Sequence, residues 1–303
     1  MINLRYHIVS LTAVFLALGL GILAGTTVIN QEVVTGLRAN TRALRNDLNA
    51  ARSDTSELQT QLRTWDEFGK SLSSSVLPGQ LAGRAVVLVA DARVPGPLVS
   101  ALAEAFRLSN AKRPTRLTLT EKWKLDGSES VEQLAAAAGI SSGERGAVVS
   151  AAAGKLGSRI AGSSDPRADG DTIRRLVDAD FIDLADLPGS GPFPAANAVV
   201  VVLSSGDPEQ TPAPEDFFVP LLKALASSRI SCAVEPTTAD QSLAELVRGD
   251  RGLARSVCSA DHIDTVAGRL SLIYSLRGLI DGKAAEHYGI RGATPIAPGL
   301  RPA

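Results

Sequence analysis

AVVLVADARVPGPLVSALAEAFRL, the stretch from Ala85 to Leu108, decides how this chain folds. Ala85 to Ala90 is an unbroken apolar run with no alternation, so both faces of the strand it forms are covered. Asp91 ends the run, Val94-Pro95-Gly96-Pro97 turns the chain, and Leu98 to Leu108 carries a helical pattern. This is a βα unit. The motif returns downstream: Ala198 to Leu203 (AVVVVL) and Ile230 to Val234 (ISCAV) read as buried strands, followed by helical segments at Glu215 to Ala226 and Ala239 to Val247. Repetition of this unit predicts an α/β domain over 83–282, a mostly parallel sheet with helices on both faces. Ser141 to Asp171, rich in Gly, Ala and Ser, reads as an insertion of low definition, and Pro188 to Pro192 as a second loop. That second loop is no phosphate cradle, because it runs into a Pro-rich turn instead of opening a helix after a strand.

Upstream, 71–82 contains Ser73-Ser74-Ser75 and Pro78-Gly79 and reads as a linker. Before it, over 32–70, the apolar positions follow a 3-4 repeat. Val34, Thr41, Leu48, Thr55 and Leu62 take position a, and Leu37, Leu44, Ala51, Leu58 and Trp65 take position d. This is the seam of a modest parallel coiled coil. Its partner is a second copy or a different membrane protein; the alternative is an amphipathic helix folded back on its own domain. The 22 residues from Ile8 to Ile29 carry no charge and, as a helix, span roughly 33 Å, enough to cross a bilayer. No convincing cleavage site follows, so 1–31 reads as a short tail and a retained transmembrane helix in place of a signal peptide. Arg5 precedes the span and the next basic residue is Arg38, which keeps the N-terminus cytoplasmic and the bulk of the chain outside. Ala17, Gly21 and Gly25 form a small-xxx-small ridge suited to helix packing in lipid. The last residues, 283–303, read as a tail.

Composition narrows the function. Across 303 residues, 31 Lys and Arg nearly cancel 32 Asp and Glu, so no basic footprint for nucleic acid exists. The aromatic content, 4%, is too low for the girdles of an outer-membrane barrel. No catalytic motif is present: His7 lies by the membrane, His262 near the last helix and His287 in the tail. Cys232 and Cys258 form an even pair outside the membrane, which suggests a disulfide; buried inert thiols are the alternative. A third arrangement takes Cys232, Cys258 and His262 as soft ligands for Cu(I).

Both ends carry a signature. Met1-Ile-Asn-Leu-Arg-Tyr-His-Ile-Val-Ser-Leu runs into Phe15-Leu-Ala-Leu-Gly-Leu-Gly, and Arg269-Leu-Ser-Leu-Ile-Tyr-Ser-Leu-Arg-Gly-Leu-Ile-Asp-Gly runs into His287-Tyr-Gly. Together they resemble the actinobacterial MctB family. The resemblance implies a non-enzymatic envelope protein of copper transport and copper homeostasis, placed in the outer membrane. A branch of the same family, SteB, implies a different role: a coiled-coil scaffold that pairs with the membrane protein SteA in cell division and the control of cell-wall hydrolysis. Apart from the Cys232, Cys258 and His262 arrangement, copper enters as a ligand only through this resemblance, since Met1 is the sole methionine and no His-rich tract exists.

Overall fold

The computed structural model describes residues 4–162, 164, 165, 168, 170–187, 193, 197–209, 211–289 and 291, and the side chains of 4 and 26–34 lie outside the described set. The loop at Pro188 to Pro192 and the seam residue Val34 therefore fall outside it. Two compact units divide the chain, 1–65 and 66–303.

The first unit is helical. Helix α1 runs Leu4–Val76, and no proline occurs in the chain before Pro78 to interrupt it. Within it, Arg5–Gly25 has mean hydropathy 2.3 and no buried residue, as a lipid-facing segment requires. Leu37, Leu44, Leu48, Leu58, Leu62 and Trp65 are all between 50% and 69% exposed.

In the second unit, the end of α1 is packed. Ser71–Val76, read above as linker, is helical, and Leu77 and Leu81 are buried. Gly79, at φ +84, turns the chain, and its N–H donates to Asn110 Oδ1 at 2.7 Å. The apolar residues in this stretch outweigh its Ser and Gly content. The elements that follow are β1 (Val86–Ala90), α2 (Gly96–Leu108), β2 (Thr115–Leu119), α3 (Ser128–Ala138), α4 (Arg145–Ala161), α5 (Thr172–Asp178), β3 (Ile182–Ala185), β4 (Val199–Leu203), α6 (Phe218–Leu225), β5 (Ile230–Val234), α7 (Leu243–Gly249), α8 (Leu253–Ser256), β6 (Val257–Ala260), α9 (Val266–Ile280) and β7 (His287–Tyr288). The strands form one sheet in the order β3-β2-β1-β4-β5-β6-β7. Every pairing is parallel except β2 with β3 at one edge.

Alternate residues of β1 enter different cores, as the unbroken apolar run requires. Val87 and Val89 join the cluster under α3 to α7. Val86, Leu88 and Ala90 join the cluster under Leu77, Leu81, α2 and α9. Two expectations need correction. The Gly-rich stretch Ser141 to Asp171 holds α4, a full helix, where a Cβ on Gly157 would meet Leu221 O at 2.7 Å. Its glycine permits close helix packing against α6 instead of breaking the helix. Part of the supposed tail, His287–Tyr288, is the seventh strand, paired with β6.

Candidate functional site

Strands ending in Val and Ala must hand over to polar loops, and in a parallel sheet the loops after the strands gather along one edge. Between β1 and β4 the strand order reverses, so the βα loops of the two neighbours part and leave a crevice. The crevice has a volume of about 760 Å³ and is bounded by the loops after β1, β4, β5 and β6.

Asp91 holds two of its lining residues, Arg93 and Ser205, by their backbones. The side chain is buried and ties two loops together: Oδ1 accepts from Arg93 N at 2.8 Å and Oδ2 from Ser205 N at 2.5 Å. Burial pushes its carboxyl above the ordinary range, with the two backbone N–H groups pulling the other way. Above it, Arg93 bridges Asp207 and Glu209, each at 3.2 Å. Gly206, at φ +66, lies so close to Ala239 that no side chain fits. Its carbonyl accepts from Asp240 N at 2.8 Å, which joins the β4 loop to the β5 loop.

Glu235, the residue after β5, is wholly buried. Ser242 Oγ donates to Oε1 at 2.5 Å and Ala244 N to Oε2 at 3.1 Å, so the carboxylate fastens the start of α7. Burial raises its pKa. On the far side, Arg269 of α9 reaches the crevice, and its Nη1 donates to Ile263 O at 3.1 Å and Asp264 O at 2.9 Å. Burial lowers its pKa from the ordinary value. Asp264 Oδ1 accepts from Thr237 N and Thr237 Oγ1, both at 2.8 Å.

The C-terminal signature has a structural use. His287 Nε2 faces Ala254 O at 2.9 Å, and since a carbonyl only accepts, that nitrogen carries the proton. Nδ1 then accepts from Ser259 Oγ at 2.9 Å. Gly289 lies against the Asp261 carboxylate, where a Cβ would collide. Arg248 closes the clasp by donating to Arg291 O at 2.7 Å.

Cys232 and Cys258 are directly opposite each other on β5 and β6, fully buried and free. This arrangement corresponds to the buried thiols that the sequence left open beside a disulfide. Cys258 Sγ donates to Ser231 O at 3.6 Å, and burial with the neighbouring thiol raises the pKa of Cys232 well above its ordinary value. Strand register brings these thiols together and leaves out His262, which sits past the end of β6 at φ +62 with Nδ1 on Asp261. Among the described residues no group of three or more His, Cys, Asp or Glu side chains could hold a metal ion. Ala17 and Gly21 are exposed along α1, and nothing lies within 4 Å of a Cβ placed at Gly21 or Gly25. Sequence reasoning passed over Arg93, Glu235 and Arg269. A usable signal existed for Glu235, an acid directly after a buried strand, as Asp91 is; Arg269 opens the C-terminal signature, but nothing local marks it as lining a crevice, to which the return of α9 delivers it.

Comparison with known proteins covers the chain almost end to end. A family model described as copper transport outer membrane protein, MctB, matches residues 1–298. The copper transporter MctB of Mycobacterium tuberculosis (strain H37Rv) is 24% identical over 305 aligned residues, 95% of this chain and 96% of that protein. The copper transporter MctB of Mycobacterium leprae is 24% identical over 315 residues, 98% of this chain and 99% of its own length.

Proposed function

This chain belongs to the MctB family, and from that premise we propose that it acts in copper homeostasis at the cell envelope, limiting the copper a cell retains. The observation that carries this reading is the breadth of the match, which takes in the anchor, the long helix and the α/β domain together. Copper is cargo here and not a resident cofactor. The apolar segment Arg5–Gly25 serves as a single-pass anchor, and the positive charge before it keeps the short N-terminus cytoplasmic and the α/β domain outside.

The seam on α1 gives the anchored chain a means of assembly. Leu37, Leu44, Leu48, Leu58 and Leu62 stay exposed along one heptad stripe, an arrangement stabilised when a second helix covers it. The partner is a second copy, entering from the same membrane face and therefore parallel. The Thr residues at two a positions are compatible with this, because Thr41 Oγ1 donates to Leu37 O and Thr55 Oγ1 to Ala51 O, each at 2.7 Å. Their hydroxyls are satisfied within the helix and can be buried at modest cost. The division-scaffold role draws no support from the relatives, whose names speak of copper alone.

A strain lacking the protein is expected to hold more cell-associated copper and to grow poorly in copper, with both reversed by the full-length chain. Metal content identical in deletion and wild-type cells would remove the reading.

A further inference from the structure

We propose that the crevice at the carboxyl edge of the sheet binds an amino acid or short peptide by its free carboxylate, with Arg269 as the counter-ion. Arg269 uses only Nη1 within the protein, for the carbonyls of Ile263 and Asp264. Among the described residues, Nε and Nη2 have no hydrogen-bond partner, and these two donors form the side-on fork that matches a carboxylate with two parallel bonds. A half-buried cation in this state costs free energy that an incoming anion recovers. Burial lowers its pKa, with the nearby Asp66 and Asp264 carboxylates pulling the other way without engaging Nε or Nη2 in a hydrogen bond. The other crevice cation, Arg93, is already neutralised by Asp207 and Glu209.

The class of anion follows from the remaining charges. Asp207, Glu209 and Asp264 border the same space, so a dianion such as phosphate meets three carboxylates for one uncommitted guanidinium. A carboxylate carries a single charge. Asp264 also has an oxygen to spare, because only Oδ1 is engaged by Thr237, and its Oδ2 suits an ammonium group. Uncommitted groups of both signs in one crevice match a zwitterion. Pro95, Pro97, Pro208 and Pro236 supply stiff apolar walls that need little ordering on binding, and the volume of about 760 Å³ admits several residues.

The test is titration calorimetry on the full-length chain in lipid nanodiscs, with trialanine, trialanine amide, N-acetyl-trialanine and inorganic phosphate. The peptides are used in all-L and all-D forms, since the crevice geometry leaves chirality open. Saturable binding of a free-carboxylate trialanine is expected, with the amide about tenfold or more weaker, as loss of a charged hydrogen-bonded pair implies. N-acetylation should weaken binding by less, and phosphate should not compete. Arg269→Gln should lower affinity about tenfold or more on the same grounds. Because Arg269 also holds two loop carbonyls, Ala101→Trp provides a second variant, filling the crevice from α2 with the Arg269 side chain itself unaltered. It should abolish binding with the melting temperature unchanged. Equal affinity for acid and amide, no saturable binding of either trialanine, tighter binding of phosphate, or binding retained in both variants would each overturn the proposal, and the wild-type comparison decides even if a variant misfolds. Copper content plays no part in this readout, so the site and the copper function fail separately.

Discussion

At the residue scale, the buried acids and thiols are where folding has cost the most and where its sign can be measured. Glu235 has its pKa raised from the ordinary 4.5 by burial. The native state therefore holds this proton more tightly than the unfolded chain does. Its contribution to stability is greatest below pH 4.5 and declines as pH rises through the interval up to the raised native value, after which the deficit is constant. Glu235→Gln keeps an oxygen for Ala244 N and presents an amide to Ser242 without a charge to desolvate. The stability of the variant relative to wild type should rise with pH across that interval, read from urea midpoints between about pH 4 and about pH 8. A difference that is flat with pH would show that Glu235 does not titrate there. Cys232 and Cys258 are sealed, and the raised pKa of Cys232 suppresses its thiolate, the nucleophilic form. Native protein should give no reaction with an aromatic disulfide reagent and two thiols once denatured. A denatured chain that still yields none would mean that the pair is oxidised.

At the scale of elements, helices carry different obligations. In α1, Leu48 and Leu58 supply an a and a d position of the exposed seam, and each substitution counts twice in a symmetric pair. Leu to Ala in a packed core costs about 2 to 5 kcal/mol, so Leu48→Ala with Leu58→Ala should convert the full-length chain in detergent from dimer to monomer, measured by sedimentation with the detergent matched out. A wild-type chain that is itself monomeric would rule out self-pairing. In α4 the obligation is closeness. A Cβ on Gly157 would stand 2.7 Å from Leu221 O and 2.8 Å from the Ala224 side chain, so Gly157→Ala should destabilise by about 1 to 3 kcal/mol in urea unfolding despite its better helix propensity. A stabilised variant would show that α6 yields without strain.

For the whole molecule, the proposed placement makes the two units topologically distinct: a protease added outside intact cells stripped of their outer layer should digest the α/β domain and spare an N-terminal tag. Digestion of the tag with a protected domain would invert the topology. The sheet bears on transport as well. Among the described residues, its seven strands form an open sheet with helical cores on both faces and no lipid-facing barrel wall. If the anchor is what places copper control at the envelope, replacing Gly21 and Gly25 by Leu should loosen packing between spans and raise cell-associated copper with the domain still folded. Copper content unaffected by that change would locate assembly in the seam alone.

What the sequence by itself determined is whatever rests on local pattern: the apolar span read over Ile8 to Ile29, the heptad stripe that follows it, and the strands read at Ala85, Ala198 and Ile230, whose unbroken apolar runs require cover on both faces. The family signatures were equally legible, because they are contiguous. Tertiary structure alone decided the rest, since each remaining feature depends on residues far apart in the chain. Ser and Gly content made 71–82 look like a linker, yet Leu77 and Leu81 find a core that only the folded α2 and α9 supply. Gly, Ala and Ser content made Ser141 to Asp171 look undefined, because the reason for Gly157, the proximity of Leu221, lies 64 positions downstream. The pairing of Cys232 with Cys258 was visible as a count, but register set the thiols side by side and kept His262 away. Arg269 became a candidate ligand group only when the return of α9 carried its guanidinium to a crevice opened by the reversal of strand order, a property of topology that no local window contains.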